Sequence, residues 1–127
     1  MQVWVNTDDV KNVTEIVKTL EKAVASHAET EFKAFVIYLN PKEEDAEVVA
    51  DKLEKIATDA KAQKVALTYL PNPKDKAARL YGINTDAKVK NTIFVYKDKK
   101  SSKKFVNFVA DKESLAKLDT AIAELMK

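Results

Sequence analysis

Two apolar runs, Ala34-Phe35-Val36-Ile37-Tyr38-Leu39 and Val65-Ala66-Leu67-Thr68-Tyr69-Leu70, constrain this chain more than any other feature. Both are rich in β-branched and aromatic residues and show no clean polar alternation, the pattern of strands covered on both faces by helices. Helical periodicity fills the sequence around them. Val10, Val13, Val17, Leu20, Val24 and Ala28 recur at intervals of three and four, which predicts a helix ending near His27. Thr7-Asp8-Asp9 supplies a capping residue and two acids for its N-terminus. Ala46, Val49, Ala50, Leu53, Ile56, Ala57 and Ala60 make a second buried stripe. Val3-Trp4-Val5 reads as a short first strand.

The two long runs lead into the same tetrapeptide pattern. Asn40-Pro41-Lys42-Glu43 follows the first, and Asn72-Pro73-Lys74-Asp75 follows the second through Pro71. Each reads as a helix start, with asparagine as cap, proline at the first helical position and an acid able to reach back. The second helix is short, runs through Ala77, Ala78, Leu80 and Tyr81, and stops at Gly82. Residues 83–90 are polar and irregular. Ile93-Phe94-Val95-Tyr96 and Phe105-Val106-Asn107-Phe108-Val109 then flank a lysine-rich connection from Lys97 to Lys104, predicting a hairpin. Leu115, Leu118, Ala121, Ile122 and Leu125 form a last amphipathic helix capped by Asp111. The order is β-α-β-α-β-α-β-β-α in a single domain spanning 1–127. Right-handed crossovers make the first strands parallel, so the fold class is α/β, a mixed five-stranded sheet with helices on both faces.

Composition removes whole classes of chemistry. Among 127 residues there is no cysteine, one histidine and one glycine. A Cys/His zinc site and a glycine-rich phosphate loop both need more of these residues than the chain has, so no metal and no cofactor is expected. A net charge of +2 from 22 basic and 20 acidic residues steers toward no polyanion, and Arg79 is the sole guanidinium, so no nucleic acid is expected. No apolar run approaches the length of a membrane span, and no membrane insertion is expected. The chain is expected to be cytoplasmic if Met1 is native, and exported if a leader has been removed.

The stretch from Asp75 to Lys99 resembles the thioredoxin family. Its Leu80-Tyr81-Gly82-Ile83, Asn91-Thr92 and Ile93-Phe94-Val95-Tyr96-Lys97-Asp98 follow the family's Tyr-Gly-Ile, Pro-Thr and apolar strand with a lysine turn, and the hairpin and final helix continue the match. The resemblance implies a thioredoxin-like fold with the first strand and the hairpin at the sheet edges. It also places the family's Cys-x-x-Cys pair at about Asn40-Pro41-Lys42-Glu43, where no side chain can perform thiol exchange. Asn91 stands where the family carries a cis-proline, and a trans bond is expected there. The implied protein is redox-inactive.

Candidate sites follow from this layout. Both Asn-Pro-Lys turns end parallel strands, so they open on one sheet edge, the edge where α/β proteins bind ligands. Asn40, Pro41, Lys42, Glu43, Asn72, Asn91 and Thr92 are therefore the candidate partner-binding residues, although helix capping alone also explains the turns. The leading function is a protein- or peptide-binding or scaffolding module, as a monomer or weak homodimer. The alternative is a non-thiol enzyme or small-anion binder at the same edge; no catalytic residues can be named for it. The lysines from Lys97 to Lys104, with Ser101 and Ser102, read as a solvated tip that discourages edge pairing. The acids Glu43, Glu44, Asp45 and Glu47 lack the geometry of a calcium loop. His27 sits at a helix end, and Trp4 reads as a packing residue or an exposed contact.

Overall fold

The computed structural model describes residues 1–7, 9–27, 32–80, 82–86, 88–97 and 100–125. Asp8, Ala28, Tyr81, Asp98 and Lys99, named above, lie outside them. The elements are β1 (Gln2–Val5), α1 (Val10–Ser26), β2 (Phe35–Tyr38), α2 (Ala46–Ala60), β3 (Ala66–Tyr69), α3 (Lys76–Leu80), β4 (Asn91–Lys97), β5 (Lys100–Val106) and α4 (Lys112–Leu125), in the order expected.

The sheet runs β3-β2-β1-β4-β5. β1 pairs parallel with β2 and antiparallel with β4, β2 pairs parallel with β3, and β4 forms the antiparallel hairpin with β5. This corrects the expectation that the first strand lies at an edge: β1 is the middle strand, and the edges are β3 and β5. Short apolar Val3-Trp4-Val5 can occupy the middle because Val3, Trp4 and Val5 are all buried. β3, expected to be covered on both faces, is instead an edge strand whose Ala66 and Thr68 face solvent.

The pleat sends alternate residues into two unequal cores. Val3, Val5, Val36, Tyr38, Ile93 and Val95 face α1, α2 and α4, and form the large core with Ile16, Leu20, Leu53 and Leu118. Trp4, Ile37 and Leu39 face the other way, onto Ala78 of α3 and Ile83 beyond it. Helices do lie on both faces, but the second face has only the five residues of α3 and the following loop. Trp4 is thus a core residue, 3% exposed, with its Nε1 donating to Gln2 Oε1 at 3.1 Å.

The helix starts differ from the expected ones. Asp9, rather than Thr7, caps α1, its carboxylate accepting from the Asn12 amide. Asn40-Pro41-Lys42-Glu43 is a β-turn with proline at its second position, closed by the Glu43 amide on the Asn40 carbonyl at 2.9 Å, and α2 begins only after Asp45. Asn72-Pro73-Lys74-Asp75 repeats that turn at 3.2 Å, and Asp75 then caps α3 by accepting from the Ala77 amide. The repeated tetrapeptide therefore encodes a turn whose asparagine caps no helix, and only in the second copy does its acid serve as the cap. In α2, Val49, Leu53, Ile56 and Ala60 are buried while Ala46 and Ala50 face solvent. In α3, Ala78 is buried and Leu80 is exposed. Gly82 ends α3 at φ +65°, and Asp111 caps α4 through the Ser114 amide, both as expected. The hairpin strand begins earlier than expected: Lys100, Lys103 and Lys104 belong to β5 itself, which ends at Val106 before Asn107 turns at φ +55°. His27 closes α1, its ring set edge-on against Phe32 at 6.2 Å.

One carboxylate ties α1 to the segment entering β3. Glu21 Oε1 accepts from the amides of Gln63, Lys64 and Val65 at 2.9, 2.6 and 2.7 Å. Desolvation raises the Glu21 carboxyl, but the three amides and the Lys64 charge outweigh it and hold it below the usual carboxylate range. A lowered folded value means that Glu21 contributes stability above its ordinary titration range and loses that contribution as pH falls through the lowered value. Glu21→Gln is expected to cost about 1 kcal/mol at neutral pH, a figure that allows for solvent screening of this half-buried group. Urea denaturation from about pH 7 to about pH 3 should show the gap between variant and parent closing toward acid.

Candidate functional site

The carboxyl ends of the three parallel strands and the start of β4 share one edge. The register places Tyr69, Tyr38, Val5 and Asn91 in one row across it, so Asn40 and Asn72 leave from the same edge that Asn91 enters. They do not form one cluster. Asn91 is two strands from β2, roughly 10 Å away by strand spacing.

Asn40 links the first two. It is 1% exposed and sits in the left-handed region at φ +57°. Its Nδ2 donates to the Glu44 carbonyl at 2.9 Å and to the Pro71 carbonyl at 3.0 Å, and its Oδ1 accepts from the Glu44 amide at 2.9 Å. The turn after β2 is therefore fastened to the turn after β3. Asn72 uses its Oδ1 locally, on the Lys74 amide at 2.9 Å. Lys42, Glu43 and Lys74 face solvent on the fastened turns, and Pro41 is partly covered.

Asn91 is committed to the hairpin. Its Nδ2 donates to the Phe108 carbonyl at 2.9 Å and its Oδ1 accepts from the Phe108 amide at 2.7 Å, extending the β4–β5 ladder past Val106. Thr92 is likewise buried, at 3% exposed. Among the described residues no peptide bond is cis, so the bond before Asn91 is trans as expected. Neither residue presents its side chain to a partner.

Several residues of this edge were not anticipated. Asn6 Nδ2 lies 3.1 to 3.2 Å from the carbonyls of Thr85, Asp86 and Val89, and its backbone amide donates to the Lys90 carbonyl, so it holds the polar loop against β1. Asn12 donates to the Phe108 carbonyl and accepts from the Ala110 amide, and Asn107 accepts from the Lys90 amide. A signal for Asn6 was present: an asparagine stands directly after Val5, directly after Leu39 and two residues after Leu70.

Behind Asn40, Lys52 lies under the turn. Its Nζ pairs with Glu44 Oε1 at 2.5 Å, reaches the Tyr38 hydroxyl at 3.3 Å and stands 5.3 Å from the Tyr38 ring centre. Desolvation lowers the Lys52 ammonium, yet the Glu44 and Tyr38 contacts outweigh it and raise it above the usual lysine value. A lysine held this firmly protonated is the reverse of a nucleophilic or basic one. The adjoining cavity, lined by Thr7, Val10, Tyr38 and Lys52, measures about 10 Å³, the room of one water. Among the described residues, no three acidic or histidine side chains converge as a metal-binding group, and no helix is long and apolar enough to cross a membrane.

No family model, curated protein or solved structure matches this chain.

The asparagine geometry has measurable consequences. Asn91→Ala leaves the buried Phe108 amide without its acceptor and is expected to cost about 2 kcal/mol. Asn40→Ala loses three bonds and forces alanine into the left-handed region, for about 3 kcal/mol. Asn40→Gly, which accepts that backbone, should recover roughly 1 kcal/mol of the loss. Urea midpoints at unchanged slope test all three values.

Proposed function

We propose that this chain is a redox-inactive, thioredoxin-like protein that binds a protein or peptide partner without covalent chemistry. A parallel β1-α1-β2 unit beside an antiparallel β4-β5 hairpin and a closing helix supports the thioredoxin-like reading, as does the element order. The central position of β1 departs from the edge position that the resemblance implied. The absence of cysteine supports redox inactivity, since thiol exchange requires a thiolate.

The observation that carries the binding reading is the tie from Asn40 to both turns of the carboxyl edge. A surface whose backbone is already fixed loses little conformational freedom on contact, and pre-organisation of this kind favours association. Pro41, Lys42, Glu43 and Asn72 would supply the contact surface; Asn91 and Thr92, buried on β4 two strands from β2, would not touch the partner. The cavity beside Lys52 has room for one water, which gives the small-anion alternative little, and Lys52 is held protonated, which disfavours it as the base or nucleophile of the enzyme alternative.

Selection from a displayed peptide library, followed by NMR titration, tests the proposal. Ligands of roughly micromolar affinity should be enriched and should shift the amides of 42–44, 72, 74 and 75. A library that yields no ligand, or ligands that leave those amides unmoved at saturation, would count against binding at this edge.

A further inference from the structure

We infer that the outer edge of β5 is a second docking surface, one that accepts an extended acidic peptide as an added strand. The inference rests on the binding-module reading for its biological sense, but it concerns a different surface. Among the described residues β5 pairs with β4 alone, so its outer row of backbone groups has no strand partner there. An edge of that kind pairs with an extended chain, and pockets for alternate side chains then provide the selectivity.

Both flanks of this edge are grooved. On the side of the large core, Lys103, Phe105, Glu113, Ala116, Lys117 and Glu124 line an open groove of about 480 Å³ between β5 and α4, where Glu113 already pairs with Lys117 at 3.5 Å. A second groove of about 430 Å³ runs past Val106 to Val109 and Asp111 and shares Phe105 and Lys117 with the first. Phe105 is partly buried, while Val106 and Val109 are 48% and 59% exposed. An edge protected only by charge would not carry this apolar surface. Lys103 and Phe105 lie opposite Val95 and Ile93, and so face the α4 groove; Lys104 and Val106 lie opposite Phe94 and Thr92, and face the other side.

The charge of the strand itself decides the occupant, since on the α4 wall Glu113 and Glu124 balance the groove's two lysines. β5 carries three lysines in seven residues and no acid. Lys104 Nζ already stands 5.6 Å from the Phe94 ring centre, on the sheet face that α3 leaves open. A second copy of this strand would set lysine against lysine, which disfavours self-pairing. An acidic strand gains two cross-strand ion pairs instead. The pleat specifies its pattern: two consecutive acids opposite Lys103 and Lys104, then two consecutive apolar residues opposite Phe105 and Val106. The irregularity in pairing after Val95 disrupts the ladder at Ser101–Lys103 and sets the near end of the docking segment.

Titration of the full chain with a decapeptide carrying Glu-Glu-Val-Val at its centre, and with one carrying Val-Val-Glu-Glu for the opposite direction, provides the test. At least one peptide should shift the amides of 103–106 together with Ala116 and Ala121. Lys103→Glu combined with Lys104→Glu, both exposed positions, should weaken binding about tenfold. N-methylation of alternate peptide amides should weaken it by a similar factor, because the added strand then loses its ladder bonds. Any of four results would overturn the inference: no shift with either peptide, shifts confined to 42–44, 72, 74 and 75, undiminished binding of the methylated peptide, or tighter binding of a single-stranded decanucleotide. None of these touches the library result at the carboxyl edge, so the two readings fail separately.

Discussion

Four residues, Gln2–Val5, join the two halves of this protein because both edges of their strand are used. β2 and β4 are not neighbours, so the parallel β-α-β unit and the hairpin with its helix share sheet hydrogen bonds only through β1. Gln2 lies opposite Phe35 on one side and Phe94 on the other. Such pairing closes long loops, whose entropy must be met before the contacts repay it. The repayment comes from side chains on both faces. Val3 and Val5 enter the large core, Trp4 anchors the small one, and burying residues of this size is worth about 1.5–3 kcal/mol each.

Around this strand, asparagine does work that peptide groups do elsewhere. Its side-chain amide carries the same donor and acceptor as the backbone and can continue a ladder where the chain has turned away. Asn91 does so toward Phe108, Asn40 toward Glu44 and Pro71, and Asn6 toward the polar loop. With Asn40 and Asn91 consumed in this way, the edge that usually carries chemistry in α/β proteins is stiffened and offers shape more than reactive groups.

The succession of elements was legible because it depends on periodicity within short windows. Val13, Val17, Leu20 and Val24 announce α1, and the run from Phe35 announces β2, whatever the rest of the chain does. Strand order was not legible, because nothing in Val3-Trp4-Val5 states whether one neighbour or two will pair with it. The turns failed for a different reason. Asn40-Pro41-Lys42-Glu43 satisfies every local rule for a helix start, yet Asn40 finds a partner 31 residues away and its backbone turns left-handed to reach it. An asparagine side chain supports either outcome with the same atoms, and only the tertiary neighbour decides. The lysines of β5 misled in a similar way, since solubility at a tip and protection of a strand edge call for the same residue type.

The lopsided covering of the sheet also implies a hierarchy of motion. The segment from α3 through the loop to Lys90 rests on a core of a few side chains and is held to β1 by Asn6, whose Oδ1 finds no acceptor role among the described residues. Lifting that segment would uncover Trp4 and Ile37 while α1, α2 and α4 stay packed. Such a piece has the character of an independent opening unit, exchanging its amide protons with solvent at a lower free energy than the body beneath it.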